Sequence, residues 1–318
     1  MVKYAIGIDV GGTNTKFGIV DRDGNIIVQD RILTNGQPTV QGFINELYEK
    51  LEPMIKKVGT VSEFAGIGMG APNGNYYTGN IEHAANLKWK GIVPLASMMS
   101  EKFGMRVKLT NDANAAAMGE MIYGTAKGMK NFITITLGTG VGSGIVVDGK
   151  IVLGHDGFAG ELGHTVVRPG GRMHKGTGIR GTLESYASAT GVRETALEIL
   201  ETDPNNNSIL KNFPPEEITS QTVYDCAIKG DEIALKIFES TGQILGEALA
   251  NFIMFSSPEA IILFGGLTKA GDLILNPTIK AMEANLIQVF KNKIKVIFSE
   301  LKEADAAILG ASALIWEE

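Results

Sequence analysis

Two aspartates lie near the ends of apolar runs, with small residues close behind. Asp9 stands next to last in YAIGIDV, and Gly11, Gly12 and Thr13 follow Val10. Glycines lacking a Cβ let backbone N–H groups approach a polyanion, and a short hydroxyl adds a donor. The phosphates of ATP suit such a turn. Asp9 could then hold Mg2+ through water, because Mg2+ keeps several waters and takes only one or two carboxylates. A plain hairpin with a turn aspartate fits the same residues. Asp112 follows Asn111 in LTNDANAAA. A carboxylate there can accept a hydroxyl proton during phosphoryl transfer, and Asp and Asn equally suit a helix N-cap. In GELGH, Glu161 and His164 stand three residues apart, so one turn can aim both at a ligand that donates and accepts, as sugar hydroxyls do. Glu184, in GTLES, is a third polar contact of that kind or a helix-start acid favoured by the dipole.

A second glycine turn, Gly138-Thr139-Gly140-Val141-Gly142, supplies further backbone donors. Downstream, GIVVDGK approaches a P-loop in letters only. Ile151 stands where Ser or Thr must meet Mg2+, and no helix follows. Gly265 and Gly266 end the apolar run Ala260 to Phe264, a strand terminus of the kind where open α/β sheets place ligands. An adenine or ribose contact fits there, and so does a simple strand-to-helix turn.

The elements that must carry these residues follow from periodicity. Tyr4 to Val10, Lys16 to Val20 and Ile26 to Ile32 read as an antiparallel meander with DRDGN as a hairpin turn. Val40 to Val58 has apolar residues at helical spacing, and Phe64 to Met69 reads as a buried strand. A helix over 93–103, a strand over 107–109 and a helix over 113–122 complete an α/β half. FITITLGTGVGSGIVVDGKIV, from Phe132 to Val152, then repeats the strand, glycine turn, strand, Asp-Gly hairpin and strand of the N-terminus. Gly11 matches Gly138 and Gly18 matches Gly144, the mark of an old duplication. Gly154 to Gly181 is glycine-rich without a period and reads as a long loop or a set of tight turns. Helices are expected over 194–201, 220–229, 231–255, 273–290 and 304–316, and strands over 260–264 and 294–298.

Composition narrows the function. At 318 residues, two domains are expected, with 44% hydrophobic and 20% charged residues. The net charge of −6 comes without a basic stripe, which argues against nucleic acid as a partner. A single cysteine, Cys226, excludes an intrachain disulfide framework and suits a reducing compartment. With a strand pattern starting by Tyr4 and no long apolar run, the expectation is a cytoplasmic protein without signal peptide, membrane span or N-terminal DNA-reading module.

Taken together, IGIDVGGTNTK, GAPNGNYYTGNIEHAANLKWKG, LTNDANAAAMGE, TITLGTGVGSGIVVDGKI, GFAGELGHTVV and IILFGG resemble the ROK family of sugar kinases over essentially the whole chain. The resemblance implies an actin-like ATPase (ribonuclease-H-like) α/β fold with two lobes around a central cleft. The expected division is a smaller lobe from 1–111 plus 300–318 and a larger one from 112–299. It also implies ATP and Mg2+, a hexose phosphorylated at the 6-hydroxyl, and a homodimer. Glucose comes first, with N-acetylhexosamine, fructose or allose as alternatives and a sugar-responsive regulator as the non-enzyme one. By position, Asp112 would be the base. Asn86, Asn111, Glu161, His164 and Glu184 would hold hydroxyls, and Gly11, Gly12, Thr13, Gly138, Thr139 and Gly266 would lie along ATP. The family commonly binds zinc through the histidine of this motif and three cysteines. Here the cysteine positions are Lys175, Thr177 and Thr182, so no structural zinc is expected. Loop 168–181 is then expected to be ordered by packing or a partner subunit, or to stay mobile until sugar binds.

Overall fold

Glycine-punctuated β-hairpins and capped amphipathic helices alternate along the chain, whose computed structural model describes residues 2–85, 87–203 and 205–316. The strands are β1 (Tyr4–Val10), β2 (Asn14–Asp21), β3 (Ile26–Leu33), β4 (Phe64–Ala71), β5 (Ile81–Glu82), β6 (Ile92–Val93), β7 (Val107–Asn111), β8 (Phe132–Leu137), β9 (Val141–Val147), β10 (Lys150–Ile151), β11 (Ala260–Phe264) and β12 (Lys295–Phe298). The helices are α1 (Val40–Val58), α2 (Leu95–Phe103), α3 (Asp112–Tyr123), α4 (Glu184–Ala187), α5 (Ala189–Thr202), α6 (Ser220–Ala227), α7 (Glu232–Ser256), α8 (Asp272–Ala284) and α9 (Glu303–Trp316).

The chain divides into two units. The first holds the residues up to Lys130, Gly144–Gly160 and those from Ser299 onward; the second holds Asn131–Ser143 and Glu161–Phe298. The first unit is therefore larger than the 1–111 plus 300–318 expected from the sequence. The reason is packing: α3 lies along α9, and Gly119 comes so close that a Cβ there would stand 2.8 Å from the Gly310 Cα.

In the first unit the sheet order is β3-β2-β1-β4-β7. β1 pairs antiparallel with β2 and parallel with β4, and β7 runs parallel to β4. Helix α1 begins where the Thr39 hydroxyl accepts from the Gly42 N–H, and it buries Phe43, Ile44, Leu47, Leu51 and Ile55 at i, i+3/i+4 spacing. They meet Ile6, Ile8, Phe17, Ile67 and Met69 in one core. Helix α9 crosses β1 and β4 so closely that a Cβ at Gly7 would lie 2.0 Å from the Ile308 carbonyl oxygen, and one at Gly68 would lie 1.9 Å from that of Ala311. Only glycine fits at either place.

The second sheet repeats the order, β10-β9-β8-β11-β12, with β9–β10 antiparallel and β8–β11 and β11–β12 parallel. The duplication legible in the two hairpins thus extends to the parallel strands beside them. In the second unit α7 packs along α8, and Phe238, Leu245, Leu249, Ile261 and Ile262 are buried.

Several elements differ from expectation, among them α5, which starts at Ala189 rather than at 194, and the unexpected α4, β5 and β6. Helix α2 starts at Leu95, because Pro94 disfavours helical backbone at Val93, which pairs with Ile81 instead. Helix α8 stops at Ala284. There the Asn285 side-chain amide donates to the Ala281 carbonyl, and the Glu283 carboxylate accepts the N–H of Asn292. The glycine-rich stretch carries a short 3₁₀ turn at Leu162–His164 and bridges joining Val166 to Thr182 and Met173 to Arg180.

Candidate active site

In the first unit, two carboxylates meet over a glycine. Asp9, next to last in β1, has Lys16 directly opposite on β2 and Gly70 beside it on β4. Across β4, Asn111 ends β7 and Asp112 begins α3. A Cβ at Gly70 would lie 3.5 Å from the Asp112 Cα and 3.9 Å from Asp9 Oδ1, so the bare glycine keeps open the space beside both aspartates. Burial, and then the charge of Asp112, push the Asp9 carboxyl up to about 6, with Lys16 opposing. Asp112 is open to solvent over much of its surface, yet protein surrounds it closely enough that burial raises its carboxyl, opposed by a hydrogen bond from the Ala113 N–H. The open surface leaves the carboxylate accessible from solvent.

The cap and the acid separate cleanly. The Asn111 side-chain oxygen accepts from the Ala113 N–H at 2.8 Å and is the N-cap of α3, while Asp112 Oδ1 shares that donor at 2.8 Å. Asn111 keeps its amide N–H groups for another partner. Nearby, the Gly11 N–H donates to the Asn14 carbonyl, and Asn35 donates from its side chain to the Gly12 carbonyl at 2.8 Å, which closes the turn from outside. Thr13 is exposed. Asn86 lies outside the described residues. Asn75, buried within GAPNGNYYTGN, donates to the Asp156 carbonyl and accepts from the N–H groups of Tyr77 and Thr78, so that loop is fixed within the same unit.

In the second unit, Val141 is the meeting point. A Cβ at Gly163 would stand 2.0 Å from the Val141 carbonyl oxygen, which holds the Glu161–His164 turn against the glycine turn 138–142. Glu184 Oε2 accepts the Val141 N–H at 2.7 Å and fills the space a side chain at Gly140 would need. His164 Nε2 lies 3.8 Å from Glu161 Oε2, and its buried Nδ1 finds no hydrogen-bond partner among the described residues. Thr139 is exposed, and its carbonyl accepts from the Thr190 hydroxyl. Gly265 adopts φ 108° and packs on the backbone of Leu137, so it joins the ends of β8 and β11, and Gly266 opens the turn that follows. The site residues proposed from sequence therefore fall into two groups. One is Asp9, Gly11, Gly12, Thr13, Asn111 and Asp112; the other is Gly138, Thr139, Glu161, His164, Glu184, Gly265 and Gly266.

Sequence reasoning missed the residues that hold loop 168–181. The Arg172 guanidinium, 12% exposed, lies over the Tyr186 ring and forks onto both Glu198 oxygens at 2.7 and 2.6 Å. It also donates to the carbonyls of Ser185 and Gly191 and to the Thr195 hydroxyl. Arg168 pairs with Glu247 on α7, and Lys175 with Glu194 on α5. His174 Nε2 stands 2.6 Å from Glu184 Oε1. His164, His174 and Glu184 each bring a metal-capable atom within 4.8 Å of one another. His164 and Glu184 are among the site residues expected from sequence, and the fold adds His174 to them. An arginine in a glycine-rich stretch gives no periodic signal, so only its bidentate reach, realised in the fold, reveals it.

Two sheets of one strand order, each a hairpin flanked by parallel strands, make this an actin-like ATPase fold with a carboxylate pair beside a glycine turn. Residues 5–318 match the ROK family model, and the chain belongs to that family. It is 33% identical to a glucokinase of Thermotoga maritima over 98% of this chain and 97% of that one. To a glucokinase of Halalkalibacterium halodurans it is 34% identical, over 99% and 96%. The crystal structure of a ROK family glucokinase from Streptomyces griseus, in complex with glucose and AMPPNP, superimposes with a TM-score of 0.80 at 29% identity, covering 99% of this chain and 100% of that one.

Proposed function

We propose that the protein transfers the γ-phosphoryl group of ATP to the 6-hydroxyl of a hexose, with glucose the preferred acceptor. The observation that carries this reading is the Asp9–Asp112 pair above Gly70, beside the Gly11–Thr13 turn. Kinship with glucokinases supports the choice of sugar.

Asp112 is the base. As the hydroxyl oxygen forms its bond to the γ-phosphorus, the bond from that phosphorus to the bridging oxygen of ADP breaks, and the hydroxyl proton passes to the Asp112 carboxylate. Burial makes that carboxylate more basic than an exposed one, which suits proton acceptance near neutral pH. Asp9 has the opposite use. Its charge is disfavoured by burial and by Asp112, a setting that a bound cation relieves, and it fits Mg2+ held through water. Mg2+ would supply neutralisation of the phosphate charge. Gly11, Gly12, Thr13, Gly138 and Thr139 offer backbone and hydroxyl donors to phosphate, and Gly265 and Gly266 offer close backbone approach to the nucleoside. Asn86, Asn111, Glu161, His164 and Glu184 hold the remaining hydroxyls. A cytoplasmic homodimer rests on family membership alone; no helix described is long and apolar enough to cross a membrane.

A coupled ADP-release assay against glucose, mannose, fructose, allose and N-acetylhexosamines tests the reading. Sugar-dependent ADP release, with the highest kcat/KM on glucose, is expected. ATP turnover that no sugar stimulates would contradict it.

A further inference from the structure

Loop 168–181 is closed by its own backbone. Val167 and Arg168 donate to the Gly181 carbonyl, Gly181 donates to Arg172, and His174 and Ile179 bridge at 2.8 Å. Within this ribbon the Thr177 N–H donates to His174 Nδ1 at 3.2 Å, and the Thr177 hydroxyl lies 2.8 Å from the same nitrogen. A backbone N–H can only donate, so Nδ1 carries the lone pair and the ring proton sits on Nε2. That proton points at Glu184 Oε1, 2.6 Å away, while Glu184 Oε2 receives the Val141 N–H. The Ile179 N–H in turn donates to the Thr177 hydroxyl. The relay runs unbroken from the loop tip through Thr177, His174 and Glu184 to the second glycine turn.

The family's zinc site takes three thiolates that this chain lacks, and of the described groups that could hold an ion, His164, His174 and Glu184, the last two are bonded to each other. Two ligands at the corners of a zinc tetrahedron, each about 2.0–2.1 Å from the ion, lie about 3.3 Å apart. His174 Nε2 and Glu184 Oε1 are at direct hydrogen-bond distance instead. Every one of the three positions where cysteine is missing also has another occupation. Lys175 pairs with Glu194, Thr177 holds His174, and the Thr182 hydroxyl lies 2.8 Å from that of Ser185.

We infer that His174, oriented by Thr177, is a positioning residue: in place of a metal it fixes the Glu184 carboxylate between the loop and Val141, ready for a sugar hydroxyl. The inference rests on the hexose-kinase reading for what Glu184 then does, and on the hydrogen bonds alone for the clasp itself.

The test uses the full chain and the variants His174→Ala, His174→Gln and Thr177→Val, with metal analysis of the untreated protein, steady-state kinetics on glucose and amide exchange over residues 174–181. Glutamine places an amide N–H near the position of Nε2 and should restore the bond to Glu184. The expected result is no stoichiometric zinc and a glucose KM raised roughly 10-fold or more in His174→Ala with kcat little changed. His174→Gln should fall within about 3-fold of the wild type, and Thr177→Val should fall between them, the fold-changes being order-of-magnitude values for one charge-assisted hydrogen bond. Amide protection at Gly178 should fall in His174→Ala. One zinc per chain whose removal abolishes glucose binding would overturn the inference, as would an unchanged glucose KM in both His174→Ala and Thr177→Val. If His174→Ala fails to fold, the Gln and Val variants decide. A wild type inert toward every hexose would refute the kinase reading, and the exchange data would still decide the clasp.

Discussion

At the scale of single residues, Asp9 sets the terms. Its carboxyl stands at about 6 in the folded chain against an ordinary value of 3.8, so between these pH values the folded state holds more proton than the unfolded state. Stability from this group is fully present below pH 3.8 and is lost as pH rises through 6. Asp9→Asn removes the titration, and the variant should gain stability relative to wild type as pH goes from 4 to 8. With a discount for the partial exposure of Asp9, the gain is about 1 kcal/mol. Denaturant melts of both proteins at a series of pH values would check it, and a difference that shrinks as pH rises would contradict the sign. The same variant should lose most of its phosphoryl transfer, a trade of activity for stability. Asp9 and Asp112 were legible as acids at strand ends next to small residues. Gly70 was not, because nothing in MGAPNG marks the glycine at which β1, β4 and β7 bring the two together. Arg172 and the partner of His174 were illegible for another reason: those partners lie on α4 and α5, and a loop without period predicts no such neighbour.

Elements carry the next layer. Glycine-punctuated hairpins announce themselves because a turn needs residues that tolerate unusual backbone, and both meanders follow the sequence pattern closely. The parallel pairing of β1 with β4, and of β4 with β7, left no local mark, since parallel partners are joined by long crossovers. Small residues do mark the consequence. Gly7 and Gly68 are the floor on which α9 rests, and the run AAILGASAL keeps that helix slim enough to approach. Gly68→Ala would drive a methyl into the Ala311 carbonyl and should cost about 3 kcal/mol, an overpacking that the two backbones cannot relieve without moving. The measurement is the urea midpoint at constant m. An unchanged midpoint would mean that α9 is more loosely docked than the distances state.

For the whole molecule, the same sheet order occurs twice, and each copy puts a glycine turn beside groups of distinct chemistry. The first unit offers two carboxylates, Asp9 and Asp112, and the second an imidazole and two carboxylates, His164, Glu161 and Glu184. Proton acceptance by Asp112 during phosphoryl transfer is the proposal on which the rest depends, and it is best tested by separating chemistry from binding. In Asp112→Asn, which keeps the shape of the side chain, glucose binding measured by calorimetry should persist while kcat falls by roughly 10²–10⁴-fold. A kcat within about 3-fold of wild type, well short of the loss expected on removing a general base, would show that another group takes the proton and would contradict the mechanism.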